Sequence, residues 1–567
     1  MNLFHEFGIK APNRVFLSIV LGALAGISYA MLIPIVVASL STPELGLVSA
    51  EPKVRTIFSI EISNFGFAWI FFLLCSVVLI ARTLSRAILI RLSMSLTTDL
   101  RISLYDKIAK APVPALERVG PAKLNAILTE DVRRIILGGQ LLPDLLINLV
   151  TLVGMLGFLV YLNISAFIFV MEAIIFGMAT YQIPIYLGSR IFSKSRKILD
   201  GLQEAIRGLI YGVKELKLDV NKRNSYFEKV LCEREHALLK SEKRAYTTFI
   251  AAGSYGDLLS FFVIGVVAFV FVNYQTVRSE ELIGIVMVLL YVSGPIAFMM
   301  NAIPQVAVAK ASLRNVNKVF GDMPSENANS ALKPVAPWRA LTFSQVTYRH
   351  SSDKGHDGFF IGPIDFEIKK GEITFIVGGN GAGKSTLSRL ISLHYPPASG
   401  EIYFGDQRVD ESSIQNFRQE IGAVFSDYYL FDRILGEVNP QKIALANSYL
   451  SELGLDGKIT ISDGKFSTLS LSDGQKKRLA LLVALLDDKP LYLFDEWAAD
   501  QDPSFKEIFY RKILPDLRER GKALVVISHD DRYFDVADKL LVMESGNLQK
   551  DKSEIENEQQ SILAYVD

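Results

Sequence analysis

The sequence predicts a multi-domain membrane protein, in which an all-α domain with six transmembrane helices is followed by an α/β domain. Half of the 567 residues are hydrophobic, which exceeds the usual share in a soluble protein of this length. Six long apolar stretches precede residue 310, and a pattern of alternating strands and helices follows it. We therefore assign residues 1–312 to the transmembrane domain, 313–339 to a linker and 340–567 to the α/β domain.

Each apolar stretch is long enough to cross the hydrocarbon layer of a membrane, which requires about 20 mostly apolar residues. A buried helical bundle in a soluble protein would need six such runs by coincidence. The first run also exceeds the ~7–15-residue apolar core of a signal peptide and lacks a cleavage motif, so we expect a retained span. The predicted spans are 15–40, 66–90, 140–162, 164–187, 248–273 and 282–308.

Lysine and arginine are concentrated in two of the connecting segments, 91–134 and 188–246. Because basic residues accumulate on the cytoplasmic side, we expect both segments and both termini to be cytoplasmic. Helical spacing of apolar residues predicts that the membrane helices continue into the cytoplasm. They would turn near Pro112–Pro121 and Gly208–Gly212 and carry force from a soluble motor, although a solvated hairpin without a mechanical role is the alternative.

Polar side chains within the predicted spans are candidates for the wall of a substrate cavity. A charged group at membrane depth is costly unless it faces protein or water. Glu172, Tyr181 and Asp257 are the candidates, and hydrogen bonding between helices is the alternative interpretation of Glu172 and Asp257.

Composition argues against other kinds of partner and site. The 60 basic residues balance 60 acidic ones, so net charge does not favour nucleic acid. Cys75 lies in an apolar stretch and Cys232 in a charged one. Because they are so far apart in sequence, neither a disulfide framework nor a cysteine metal site is expected.

A glycine-rich loop follows the apolar run 373–377 and precedes a helix-patterned segment. It fits the phosphate-loop pattern G-x-x-x-x-G-K-[ST] between Gly378 and Ser385. Glycines let consecutive backbone N–H groups turn toward phosphate, and the helix N-terminus adds positive potential. Lys384 would contact the β- and γ-phosphates, and Ser385 would bind Mg²⁺. The predicted nucleotide-binding residues of the loop are Gly379, Asn380, Gly381, Ala382, Gly383, Lys384, Ser385 and Thr386.

Two further apolar strands end in polar side chains. The run 491–494 leads into Asp495 and Glu496. Asp495 would hold Mg²⁺ through water, and Glu496 would orient or deprotonate the water that attacks the nucleotide. The run 523–527 leads to His529, which suits sensing of the γ-phosphate. Together with the phosphate loop, these strands predict a nucleotide-hydrolysing site.

The segment Leu471-Ser-Asp-Gly-Gln475 resembles the LSGGQ signature of ABC ATPases, with Asp473 in place of the first glycine. With the other motifs, the resemblance covers 340–545, and the six-span layout resembles the membrane domain of homodimeric ABC exporters. The resemblance implies an exporter half-transporter whose ATPase activity is coupled to transport, with ATP and Mg²⁺ as cofactors. It also implies that each ATP lies between Lys384 of one subunit and Ser472 of the other.

The same resemblance implies roles for individual residues. Glu496 matches the catalytic base and His529 the switch histidine, which act with Lys384. In the signature, the residues that match nucleotide contacts of the family are Ser472, Gly474 and Gln475. In the segment 499–502, which matches the D-loop of the family, the corresponding residue is Asp502.

Two positions depart from the family pattern. Ser426 replaces a glutamine that usually contacts Mg²⁺ and water, and Asp427 is the candidate metal ligand that would substitute for it. The aromatic residue that stacks on adenine aligns with His350, whereas the chemistry of stacking favours Tyr348. Being two residues apart on a strand, both would point to one face.

The departures also indicate a branch of the family. Short motifs around Gly212, Ser426, Asp473 and Trp497 resemble those of the bacterial cyclic-peptide and siderophore-precursor exporters, which serve pyoverdine, syringomycin and lasso-type microcins. The expected function is ATP-driven export of a peptide-like small molecule across the bacterial inner membrane by alternating access, with the ATPase domain in the cytoplasm.

Two other classes of function compete with export of a peptide. A lipid or multidrug flippase on the same scaffold is the main alternative. A non-transporting ATPase is disfavoured because Glu496 and His529 are both present, and an importer because the spans and the ATPase are fused in one chain.

Overall fold

The computed structural model describes residues 12–40, 55–57, 60–62, 65–271, 279–326, 333–350 and 358–549. They belong to two compact units. The first unit comprises residues 1–104 and 124–321, and the second comprises 105–123 and 322–567.

Up to Phe320, the secondary structure of the described residues is helical apart from two short antiparallel strands, β1 (Arg55–Ile57) and β2 (Ile60–Ile62). Single π-helical turns interrupt the helices at Ile127–Asp131, Phe227–Cys232 and Val267–Phe271. The helices are α1 (Pro12–Leu40), α2 (Phe65–Lys110), α3 (Val113–Val119), α4 (Pro121–Ala126), α5 (Val132–Gln140), α6 (Leu142–Leu162), α7 (Ile164–Tyr211), α8 (Val213–Leu218), α9 (Val220–Tyr226), α10 (Glu233–Val266) and α11 (Ser279–Phe320).

Among the residues that the structure describes, five helical stretches are long and apolar enough to cross a membrane. They coincide with the first, second, third, fifth and sixth predicted spans. The predicted fourth span lies within α7, whose apolar part, Ile164–Thr180, is shorter, so a total of six spans stays a prediction. In the most apolar window of α2 only 6% of the residues are buried, as expected of a helix that contacts lipid.

Two helices are much longer than a membrane is thick. At 1.5 Å per residue, the 46 residues of α2 and the 48 residues of α7 extend about 70 Å each, more than twice the ~30 Å hydrocarbon layer. They end at Lys110 and Tyr211, next to the proline-rich and glycine-rich turns predicted from the sequence.

Small and hydroxyl-bearing residues bring the membrane helices close together. A Cβ atom added to Gly26 of α1 would lie 2.9 Å from the side chain of Val150 on α6. Ser18 and Ser85 each donate a hydrogen bond to the other's backbone carbonyl, at 3.0 and 2.9 Å, and so join α1 to α2. Contacts of these two kinds stabilise helix pairs where no water is present.

The second unit contains two larger sheets and one two-stranded sheet. The strands are β3 (Ala340–Arg349), β4 (Phe360–Lys369), β5 (Ile373–Gly378), β6 (Ser399–Phe404), β7 (Gln407–Arg408), β8 (Ile421–Val424), β9 (Ile461–Ser462), β10 (Lys465–Phe466), β11 (Leu491–Asp495), β12 (Ala523–Ile527), β13 (Lys539–Glu544) and β14 (Asn547–Gln549). In the largest sheet the strand order is β14-β13-β5-β12-β11-β8, and every neighbouring pair is parallel except β14 with β13. The four-stranded sheet is antiparallel, in the order β4-β3-β6-β7, and β9 pairs with β10 in an antiparallel arrangement.

Hydrophobic clusters cover both faces of the parallel sheet. Trp497 and Phe509 belong to one cluster, and Phe343 and Leu387 to the other. A strand that is buried on both faces has a continuous apolar sequence. For this reason β5, β11 and β12 can be recognised from the sequence. The helices around them are α12 (Lys384–Ile391), α13 (Ile414–Arg418), α14 (Pro440–Glu452), α15 (Asp473–Leu485), α16 (Pro503–Ile508) and α17 (Leu514–Glu519).

Candidate active site

Three of the predicted motifs meet at one edge of the parallel sheet. β12 lies between β5 and β11, and the phosphate loop, the carboxylate pair and His529 follow the carboxyl ends of these strands. The backbone N–H of Glu496 donates to the carbonyl oxygen of Ile527 at 3.0 Å, which holds the ends of β11 and β12 together. This edge is where ligands bind in open α/β sheets.

The phosphate loop depends on glycine at its turn into α12. Gly383 has φ +106°, and a Cβ atom there would lie 2.9 Å from Ile361 and 3.0 Å from Met543. Another residue would therefore be strained and crowded. Ser385, in the first turn of α12, is exposed, whereas the neighbouring Thr386 is buried.

Lys384 is held inside the loop. Its side chain is only 6% exposed, and Nζ donates to the carbonyl oxygens of Gly378 and Gly379 at 2.9 and 3.0 Å. Burial lowers the pKa of Lys384, and the charges of Glu496 and Asp495 oppose that shift. The lysine is thus positioned by the loop and is affected by the charges of the predicted catalytic base, Glu496, and the predicted metal ligand, Asp495.

The two carboxylates after β11 have different surroundings. Asp495 is 3% exposed, and burial raises the pKa of its carboxyl. Glu496 has a left-handed backbone, with φ +51°, and its Oε1 lies 3.2 Å from Nε2 of His529. A left-handed conformation is strained for a residue with a side chain, and strain of this kind often accompanies a functional site. The geometry offers a carboxylate and an imidazole that can share one water molecule or proton.

The signature segment begins α15 with a capping box. The Ser472 hydroxyl accepts from the backbone N–H of Gln475 at 3.4 Å, and the Gln475 side chain accepts from the backbone N–H of Ser472 at 3.2 Å. This reciprocal pair satisfies two N–H groups at the start of the helix and fixes the Ser472 side chain at its N-terminus.

The D-loop segment, residues 499–502, forms hydrogen bonds and an ion pair with α15. Gln501 donates to the carbonyl oxygen of Gly474 at 3.0 Å and accepts from Arg478 at 2.9 Å, and Arg478 also pairs with Asp502. The Trp497 indole, which is 1% exposed, donates to the carbonyl oxygen of Lys477 at 2.8 Å. The predicted signature and D-loop residues therefore form one connected structure.

The structure gives the two candidate adenine-binding residues different environments. The Tyr348 ring stacks on Tyr395, with ring centres 4.6 Å apart. His350 lies nearer to the phosphate loop, with Nε2 2.9 Å from Thr386 Oγ1. Burial lowers the pKa of His350, and the charge of Glu117 opposes this.

Sequence reasoning missed a polar connection between α3 and this site. The Tyr395 hydroxyl donates to Glu117 of α3 at 2.6 Å. Arg389 of α12 lies 3.9 Å from Glu117 and forms an ion pair with Asp427 at 2.7 Å. No local pattern signals this connection, because 278 residues separate Glu117 from Tyr395.

The oxygen ligands near the phosphate loop suit Mg²⁺. This cation prefers oxygen and is usually held by one or two protein groups together with substrate phosphates. Ser385 and Asp495 offer such oxygens, and one oxygen of Asp427 is already paired with Arg389. Within the described residues there is no group of three or more His, Cys, Asp or Glu that could hold a metal, so the nucleotide would have to complete the coordination.

The three candidate cavity residues are less well defined. Glu172 is exposed on α7 and does not line the cavity found in the first unit. The side chains of Tyr181 and Asp257 lie outside the part of the chain whose side chains the structure describes.

Comparison with known proteins identifies the family of the chain. The sequence model of the ABC transporter family matches residues 361–499. The ATP-binding protein SyrD of Pseudomonas syringae pv. syringae is 32% identical over 81% of this chain and 83% of its own length. An ATP-dependent lipid A-core flippase of Ralstonia nicotianae is 26% identical over 79% of this chain and 78% of its own. The chain belongs to the ABC transporter family: it is a multi-pass membrane protein and an ATPase whose hydrolysis is coupled to transport.

Proposed function

We propose that the chain is half of a homodimer that exports a peptide-like small molecule, such as a cyclic peptide or a siderophore precursor, across the bacterial inner membrane by alternating access. The observation that carries the cargo class is the set of short motifs around Gly212, Ser426, Asp473 and Trp497. The similarity to SyrD over 81% of the chain supports a common architecture of both halves. ATP-driven export itself follows from the family.

In this proposal the phosphate loop, the carboxylate pair and His529 each have a separate role in hydrolysis. The loop N–H groups and Lys384 bind the β- and γ-phosphates. Glu496 orients the attacking water and accepts its proton, and His529, 3.2 Å away, holds that carboxylate and contacts the γ-phosphate. Mg²⁺ bound near Ser385 and Asp495 would neutralise charge on the phosphates.

We assign adenine stacking to His350 rather than to Tyr348. One face of the Tyr348 ring is already covered by Tyr395, whereas His350 contacts Thr386 beside the phosphate loop. The rings of Tyr348 and Tyr395 then pack edge to face against the ring of His350.

We assign each complete ATP site to two subunits, with Lys384 from one and Ser472 from the other. Coexpression of a Lys384→Ala chain with a differently tagged Ser472→Ala chain tests this. The mixed dimer would keep one site with both residues intact, and so would recover ATPase activity that neither homodimer has. If each site were built within one chain, every site in the mixture would be damaged and no activity would return.

The cargo class is tested by the ATPase activity of purified protein in lipid nanodiscs. Cyclic peptides and siderophore precursors should stimulate hydrolysis at micromolar concentration. Matched drugs and additional phospholipid should not.

A lipid flippase is the second candidate. It is favoured by the relative from Ralstonia, which is named a lipid A-core flippase and matches both halves of the chain. Stimulation by lipid, with none by any peptide, would favour this alternative.

A further inference from the structure

Four helices of the first unit line a cavity of about 260 Å³. This volume lies just below the ~300–1,000 Å³ of pockets that hold drug-sized ligands, so the cavity has room for one group of a larger cargo. Its polar lining consists of Tyr29 of α1, Arg82 of α2, Asn148 and Thr151 of α6, and Tyr291 and Ser293 of α11.

Arg82 is a charged residue of the lining that forms no ion pair within the described part of the chain. Its Nε atom is buried and forms no hydrogen bond there. Arg86, one helical turn further along α2, provides a direct comparison because it forms an ion pair with Asp144. Of these two arginines on the same side of one helix, Arg86 is neutralised by a carboxylate of the protein, whereas Arg82 lines the cavity.

Two other polar side chains of the lining form hydrogen bonds with the protein backbone. Asn148 Nδ2 donates to the carbonyl oxygen of Asp144 at 2.7 Å, and Ser293 Oγ donates to that of Leu290 at 2.8 Å. Each of these two side chains therefore has a partner in the protein. The buried Nε of Arg82 forms no hydrogen bond within the described residues, so a ligand could satisfy it.

An arginine in this position is costly to the protein. Arg82 lies within the predicted second span, 66–90, and a charge at membrane depth is tolerated where it faces a cavity or an opposite charge. Ionisable residues in such places commonly mark a substrate path. The sequence alone contains a sign of such a site, because the basic residue Arg82 interrupts an apolar run. The run does not, however, indicate which way the side chain faces.

We propose that Arg82 binds a carboxylate of the transported peptide-like molecule, an inference that rests on the proposed export function. The planar guanidinium matches the two oxygens of a carboxylate with parallel hydrogen bonds. One arginine balances the single charge of a carboxylate, whereas a phosphate monoester carries about two. The rings of Tyr29 and Tyr291, which meet edge to face at 6.5 Å, supply apolar surface beside the charge.

Thermal unfolding separates a ligand-binding role from a structural one. Arg82→Gln removes a charge that has no protein partner, so its Tm should equal or exceed that of the wild type. Arg86→Gln is the matched control and should lower Tm, because it leaves Asp144 unpaired. If Arg82→Gln lowers Tm as much as Arg86→Gln, the arginine is structural and the proposal is wrong.

Cargo binding is tested with a cyclic peptide that carries one carboxylate and with its carboxamide form, by ATPase stimulation in nanodiscs. For Arg82→Gln, the half-stimulating concentration of the carboxylate peptide should rise about 10- to 100-fold, the loss expected for hydrogen bonds to a charged group. The value for the carboxamide should stay the same, and Arg82→Lys should recover part of the response.

The outcomes distinguish this inference from the proposed function. If carboxylate peptides stimulate the wild type and Arg82→Gln equally, Arg82 is not the subsite and peptide export stands. If no peptide stimulates the wild type, while phosphatidic acid does so in an Arg82-dependent manner, the cavity binds a lipid phosphate. That result would overturn both the peptide cargo and the carboxylate assignment.

Discussion

Glu496 combines a left-handed backbone, a histidine partner at 3.2 Å and a place at the end of β11. A general base in this position should be sensitive to loss of its basicity alone. Glu496→Gln keeps the size and hydrogen-bonding capacity of the side chain but is a far weaker base. We expect ATP binding to persist and hydrolysis to fall about 10²–10⁴-fold, measured by phosphate release and by nucleotide binding.

A matched substitution elsewhere controls for general effects. Glu507→Gln changes an exposed carboxylate on α16 and should leave turnover unchanged. Near-normal hydrolysis by Glu496→Gln would mean that another group accepts the proton.

The assignment of adenine stacking can be tested with one pair of variants. Base stacking contributes about 1–3 kcal/mol by alanine substitution, so His350→Ala should weaken ATP binding about 5- to 150-fold. Tyr348→Phe keeps the ring that stacks on Tyr395 and should bind ATP like the wild type. Equilibrium binding of a fluorescent ATP analogue measures both, and the opposite ranking would assign the contact to Tyr348.

His394 should make the stability of the second unit depend on pH. Burial, together with the charges of Arg418 and Arg389, lowers the pKa of His394 to about 4. The pKa of an unperturbed histidine is about 6.5. Between that pH and pH 4, the unfolded chain therefore binds a proton at this residue that the folded chain does not. Stability is therefore lost as the pH falls through this window.

The readout for His394 is the change in Tm between pH 7.5 and pH 5. His394→Asn removes the titrating group, so its Tm should fall less over this interval than that of the wild type. The absolute Tm at pH 7.5 is not the test, because the variant also loses the 2.8 Å contact with Ser392. Equal pH dependence in the two proteins would contradict the assignment.

At the scale of elements, α3 lies in the segment 105–123, which belongs to the second unit together with the sheets. Its Glu117 contacts Tyr395, which supports Tyr348, and approaches Arg389, which pairs with Asp427. One carboxylate is thus connected both to a candidate adenine-binding residue and to the candidate metal ligand Asp427. This arrangement suits a segment that reports cargo binding to the ATPase.

Glu117→Gln should therefore reduce coupling more than catalysis. We expect basal ATPase activity within about twofold of wild type, and a large loss of cargo-stimulated activity, because the ionic contact with Arg389 is removed. Arg118→Gln, a charge change at the neighbouring exposed position, is the control. Full stimulation in Glu117→Gln would show that the signal takes another route.

The strands and motifs of the second unit could be predicted because their signals are local. An apolar run buried on both faces, ending in Gly378 or Asp495, identifies both the strand and the edge where its loop lies. The contact between Glu117 and Tyr395 could not be predicted, because it depends on how distant elements pack. Arg82 illustrates the same limit in the membrane: composition located the helix, but only the fold placed the side chain beside a cavity.

At the scale of the whole molecule, the second unit holds one phosphate loop and one signature segment, and two helices, α2 and α7, are about 70 Å long, more than twice the thickness of the ~30 Å hydrocarbon layer. A dimer of such chains would contain two ATP sites and one shared path between the membrane helices. ATP binding would draw the two ATPase domains together, and the long helices would carry that movement to the path. Transport in this account depends on hydrolysis at Glu496 and on a cargo that fits the cavity.

The most direct test is ATP-dependent accumulation of a labelled, carboxylate-bearing cyclic peptide in inside-out proteoliposomes. The wild-type protein should accumulate the peptide only when ATP and Mg²⁺ are present outside, and Glu496→Gln should not accumulate it at all. No accumulation of any peptide by the wild type, together with ATP-dependent movement of a labelled phospholipid between leaflets, would contradict the account.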